Sequence, residues 1–173
     1  LDVGNYFAFA DIMRARLDLA AARGCDAVEP DNVDGFIQNS GFTITAAQQL
    51  TYNSWIASEA HARGMACALK NDADQVADLV AAFDFAVVEE CNEFTECDQY
   101  QPFVDANKAV LIAEYVGSAS SICPNQLPGM STIFKLLDLP ARVSQCWTPS
   151  TWTSPLGSSS TTSSTTFIAP SPS

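Results

Sequence analysis

Four short apolar runs recur along the chain, and each stops on polar or charged residues. Residues 25–28 lead to Glu29, Asp31 and Asp34; residues 65–69 lead to Lys70, Asn71 and Asp72. Residues 85–88 lead to Glu89 and Glu90, and residues 109–113 lead to Glu114. Nearly wholly apolar strands are what a parallel sheet requires when both of its faces are covered. The stretches between these runs have helical periodicity, so the pattern predicts strand-then-helix units and an α/β fold. Three strands ending in an acid (Asp31, Glu89, Glu114) are expected to converge on the catalytic face of a (β/α) barrel. The plainer reading of the stretch from Glu29 to Gly35 is a solvated acidic turn, since Asp, Asn, Pro and Gly are ordinary turn residues.

The helices are expected at 7–23, ended by Gly24, and at 46–63, N-capped by Thr45 and stopped by Gly64. Further helices are expected at 73–82, at 98–106 and, as the last element, at 129–138. Leu1-Asp-Val3 reads as the tail of a preceding strand. An eight-fold barrel typically takes roughly 250 residues, whereas this chain has 173. The expectation is therefore the C-terminal half of a TIM barrel over 1–147, about four βα units, with an unpaired edge that makes it marginal alone.

From Thr148 the character changes. Residues 148–173 hold 16 Ser or Thr among 26 positions and no charged residue. That composition predicts a Ser/Thr/Pro-rich, stalk-like tail without a core of its own. The formal net charge is −12, which argues against nucleic acid and anionic membrane surfaces as partners and suits a cationic or neutral one. No apolar run reaches membrane-spanning length. Six cysteines and a single histidine, His61, occur without any Cys-x-x-Cys. This spacing supports no metal site and no cofactor. The loop-located cysteines, 91 with 97 and 123 with 146, suit two disulfides in an oxidising compartment, while Cys25 and Cys67 read as free core thiols. A monomer that is secreted, extracellular or in the cell wall is expected.

Four motifs bring a family into view: Gly24-Cys-Asp-Ala-Val-Glu-Pro-Asp-Asn-Val-Asp-Gly-Phe36, Leu50-Thr-Tyr-Asn53, Leu69-Lys-Asn71 and Phe83-Asp-Phe-Ala-Val-Val-Glu-Glu-Cys91. In this order they resemble glycoside hydrolase family 114, whose characterised members are endo-α-1,4-polygalactosaminidases with a TIM-barrel fold. The resemblance runs from Leu1 to about Cys146. It departs at Gly4, where the family carries an Arg. It implies a galactosamine-containing polysaccharide as substrate, with Asp31 as nucleophile and Glu89 as general acid/base of a retaining mechanism. Such chemistry needs one ionised and one protonated carboxyl about 5–5.5 Å apart. Two strands with a third between them begin near 10 Å apart, a gap that side chains must close. Crowding by Glu90, Glu114 and Asp72 is expected to keep Glu89 protonated. Asp34, Lys70, Asn71, Asp72, Glu114 and Tyr115 are the candidate sugar contacts, Tyr115 by stacking. Tyr52 and Trp55 read as core, and His61 as a helix-end residue outside the chemistry. The competing class is a non-catalytic carbohydrate-binding or wall-associated remnant.

Overall fold

The computed structural model describes residues 1–139 and 143–146; the Ser/Thr-rich segment expected at 148–173 lies outside them. The chain opens in a 3-10 helix, Val3–Ala8, in which the Asp2 carboxylate accepts from the Gly4 N–H at 3.1 Å. The strand tail expected at 1–3 is therefore not formed, because Asp2 commits its side chain to the first turn of that helix.

Helix α1 is Ala10–Ala22 and leads into Gly24, whose φ of +77° is costly for any other residue type. Strand β1 pairs only over Ala27–Val28. Helix α2, Ala46–His61, begins with a complete capping box between Thr45 and Gln48. Strand β2, Ala66–Lys70, follows. The helix expected at 73–82 is broken into a 3-10 turn, Ala73–Gln75, and a short α3, Val76–Leu79. Strand β3 is Phe85–Glu89, helix α4 Cys91–Phe94 and helix α5 Gln101–Asp105, the last entered through a 3-10 turn at Cys97–Tyr100. Strand β4, Val110–Glu114, leads to α6, Ala119–Ile122.

The stretch expected as a last helix, 129–138, is instead strand β5, Met130–Phe134. Met130 and Thr132 are buried while Ser131 and Ile133 are exposed. That is a period of two, and pairing with β4 overrides whatever helical tendency the run has. A two-residue β6, Ser144–Gln145, closes on β5 in the antiparallel sense. The disulfide Cys123–Cys146 thus spans β5, and Cys91–Cys97 encloses α4. Of the other two cysteines, Cys67 is buried as expected, but Cys25 is exposed.

Strand order in the sheet follows chain order, β1 to β6, with the first five strands parallel. This is the topology of a (β/α) barrel, here an arc of five parallel strands. Register sorts the side chains into two faces. Ala86, Val88, Val110, Ile112 and Met130 are buried under the helices with Ile56, Leu79 and Phe103. The other face is open: Leu111 is 43 % exposed and Ile133 36 %. The pairs Lys70–Val87 and Glu89–Ala113 set Lys70 and Glu89 on that open face. Glu114, one residue past Ala113, falls on the opposite face, and it is fully buried. The expected convergence of three acids on one face therefore fails for Glu114, because side chains alternate along a strand. Among the described residues no helix is long and apolar enough to cross a membrane.

Candidate active site

Three charged side chains meet at the C-terminal ends of β1, β2 and β3. The Lys70 ammonium lies 3.0 Å from Asp31 Oδ1 and 2.7 Å from Glu89 Oε2. Two oxygens that close to one nitrogen are at most about 6 Å from each other, which shows how far the side chains close the roughly 10 Å strand spacing. Lys70 is almost buried, at 7 % of its side chain, whereas Asp31 keeps 59 % open to solvent. All three line one cleft of about 840 Å³, together with Asp34, Asn71 and Tyr52.

The residue after each of these three side chains is held at positive φ: Asn32 at 56°, Asn71 at 52° and Glu90 at 58°. Each costs on the order of 1 kcal/mol or more and turns the chain sharply at the sheet edge. The turns are tied down locally. Asn32 N–H donates to Asp31 Oδ1 at 2.9 Å, and Glu89 N–H donates to Asn71 Oδ1 at 2.9 Å. Tyr115 Oη donates to Glu89 Oε1 at 2.7 Å. Tyr115, expected to stack on a sugar ring, is thus a hydrogen-bond partner of Glu89, on the oxygen that Lys70 does not contact.

These contacts set the charge states. Lys70 and then Tyr115 hydrogen-bond the Glu89 carboxylate and hold its pKa below the ordinary range, against burial. Burial pulls the Asp31 pKa up, but Lys70 and the Asn32 N–H outweigh it and the net shift is downward. Burial likewise opposes charge on Lys70, and the two carboxylates overcome it and raise its pKa. Glu89 pushes Tyr115 up to about 12. The expectation that acidic neighbours keep Glu89 protonated is therefore overturned: the nearest charge is a cation. Glu90 and Glu114 are not the groups that touch it.

The remaining sequence candidates are placed as follows. Asp34 is in the cleft, where its Oδ2 accepts from Gln38 Nε2 at 2.8 Å. Asp72 is only 2 % exposed and faces the interior. Its backbone stands at φ 59°, and it is not among the residues that line the cleft. Glu114 accepts from the Asn92 backbone N–H at 3.0 Å and from its Nδ2 at 2.8 Å. With Tyr115 it borders a smaller cleft of about 300 Å³ lined also by Phe134 and Ser144. The Glu114 carboxylate lies near Cys91 and Cys97, but those sulfurs are joined to each other and offer no thiolate to a metal. His61 is at the end of α2, 2.8 Å from Asp84, away from the cleft. Tyr52 packs edge-on to Tyr6, and Trp55 lies under Arg14 at 5.6 Å. At Gly4 a Cβ would meet Gln48 Nε2 at 2.7 Å, so a side chain there must push the end of Gln48 aside.

Sequence reasoning missed Asn53, which is fully buried on α2 and bonded to both Val33 O and Asp72 Oδ2 at 2.9 Å. The signal was available: Gln49 and Asn53 are polar residues in line, at helical spacing, with the apolar Ile56, Ala57 and Ala60.

A carboxylate pair at the C-terminal edge of a parallel α/β sheet is an arrangement that fits glycoside hydrolysis. The sequence model of Glycoside-hydrolase family GH114 matches residues 1–151, and the chain belongs to that family. Among solved structures it is similar to the crystal structure of Aspergillus fumigatus Ega3 in complex with galactosamine, with a TM-score of 0.77 and 31 % identity. That similarity covers 84 % of this chain and 63 % of the other, so the chain spans under two thirds of its length. No curated protein matches.

Proposed function

We propose that this is a secreted, endo-acting glycoside hydrolase of α-1,4-linked galactosamine polymers, using Asp31 as nucleophile and Glu89 as general acid/base. The observation that carries it is the single ammonium of Lys70 within 3.0 Å of both carboxylates. A separation of at most about 6 Å in the resting site suits the retaining geometry, near 5–5.5 Å, better than the inverting one at about 6.5–9.5 Å. The galactosamine bound by the similar solved structure supports the substrate class. Two disulfides support an oxidising compartment.

In the resting site both carboxylates are ionised. As a sugar enters between them, Lys70 stays with Asp31 and leaves Glu89 Oε2 free to take a proton. Tyr115 keeps Oε1 and so fixes which oxygen works. Asp31 attacks the anomeric carbon while Glu89 protonates the leaving glycosidic oxygen, giving a glycosyl ester and the shortened polymer. Glu89, now ionised, takes a proton from water; the water oxygen displaces Asp31 and restores the configuration.

The test is Asp31→Asn and Glu89→Gln, followed by the fragment sizes released from polygalactosamine and by proton NMR of the first anomer formed. Each variant is expected to lose on the order of 10³-fold or more in kcat. Near wild-type turnover by either variant sinks the assignment, and an inverted first anomer sinks the retaining mechanism.

A further inference from the structure

We propose that Asn53 and Asp72 form a buried brace that fixes the spacing of Asp31, Lys70 and Glu89, making them positioning residues for the hydrolysis proposed above. The kinetic part of this inference rests on that reading.

One side-chain amide joins two loops. Asn53 Nδ2 donates to Val33 O and to Asp72 Oδ2, each at 2.9 Å, and Oδ1 accepts from Gln49 Nε2 at 2.8 Å. Both N–H groups are used, and only the nitrogen end of the amide can face a carbonyl and a carboxylate oxygen, so the chemistry fixes its orientation. Val33 lies two residues after Asp31, and Asp72 two residues after Lys70. Between Lys70 and Asp72 stands Asn71, whose Oδ1 takes the Glu89 N–H. The links therefore run from α2 to all three strand ends.

The backbone agrees with this role. Asn71 and Asp72 are consecutive non-glycine residues at φ 52° and 59°. Such strain persists where surrounding contacts over-determine it. Here it aims Asn71 at the β3 end and Asp72 into the interior.

Asp72 also gives the brace a dependence on protonation. Its Oδ1 is buried and has no hydrogen-bond partner among the described residues. Burial first, and then the charge of Asp34, push its pKa up to about 7, with Asp74 adding to the effect. Tyr100 and Glu96 are the titratable groups across from this cluster, and the charges of Asp72, Asp34 and Asp74 are felt at Tyr100. Above neutrality a carboxylate with one unpartnered oxygen is left in the interior, which opposes the folded arrangement.

The experiment compares Asn53→Val, Asp72→Val and Asp72→Asn in the intact protein. Asn53→Val and Asp72→Val are expected to lower kcat by about tenfold or more with KM changed by less than about twofold, as loss of positioning requires. Asp72→Asn, an isostere of the protonated acid, is expected to recover most of what Asp72→Val loses. Melting temperature against pH is read on the same proteins without any substrate. Unfolded Asp72 titrates near 3.9 and the folded group near 7, so the folded state holds the extra proton across that window. Wild-type stability relative to Asp72→Asn is therefore expected to fall as pH rises from about 4 to about 7 and then to level off. Retention of kcat in Asn53→Val, or a melting profile of Asp72→Asn parallel to wild type, overturns the brace. Should Asn53→Val fail to fold, the Asp72→Val and Asp72→Asn pair decides by the same two readouts. If the wild type itself leaves polygalactosamine intact, the functional reading fails and the melting profiles alone decide the brace.

Discussion

Lys70 is the residue on which the charge balance of the site turns. It is 7 % exposed and holds two carboxylates below their ordinary pKa. Replacing it by Met removes the largest cause of the downward shift at Glu89 and the main opposition to burial at Asp31. Both pKa values are then expected to rise, since Asp31 and Glu89 each lose a cation and a hydrogen-bond donor. The acidic limb of kcat/KM reports ionisation of the nucleophile in the free enzyme, so in Lys70→Met it is expected to move to higher pH. A pH–rate profile checks this, and an unmoved or downward-moving limb contradicts the clamp. The positive-φ residues that follow Asp31, Lys70 and Glu89 belong to the same picture. None is glycine, and Asn at two of them tolerates the left-handed region best among the other types.

At the level of elements, each parallel strand supplies a different part. β2 and β3 carry Lys70 and Glu89 on the open face, and β4 turns Glu114 inward to cap the start of α4 through Asn92. That inward turn ties the segment after Glu89 to the next strand, and Cys91–Cys97 closes it covalently. The two disulfides are expected to differ in weight, because their sequence separations are 6 and 23. On the chain-entropy view the shorter loop contributes about 2 kcal/mol and the longer about 3.5 kcal/mol. Thermal or denaturant unfolding of Cys91→Ser/Cys97→Ser and Cys123→Ser/Cys146→Ser double variants is expected to show the larger loss in the second. The reverse order would mean that the 91–97 bridge holds native structure around α4 beyond its effect on the unfolded chain.

For the molecule as a whole, a net charge of −12 and a cleft containing Asp31, Asp34 and Glu89 favour approach of a polycation. Screening length falls from about 30 Å at 0.01 M salt to about 8 Å at 0.15 M. KM for de-N-acetylated galactosamine oligomers is therefore expected to rise severalfold over that range, with kcat little changed. Fully N-acetylated oligomers are neutral and serve as the control. Equal salt dependence for both would remove electrostatic capture from the account.

The sequence by itself determined the unit that repeats. Apolar runs ending in polar residues placed β2, β3 and β4 within a residue or so, and Thr45 marked the start of α2, because these signals are local. The same runs put Asp31, Lys70 and Glu89 at strand ends, which made the candidate site legible before any geometry. Tertiary structure alone decided three things. Sheet pairing made 130–134 a strand, since a short run of Met, Ser, Thr, Ile and Phe has no strong preference of its own. Register decided that Glu89 faces the cleft while Glu114 faces the helices, a choice that one residue of slip would reverse. Convergence of separate loops placed the Lys70 ammonium between Asp31 and Glu89 and set Asn53 beneath Asp72. Their charge states and spacing depend on distances across the fold, and the order of residues along the chain does not specify those.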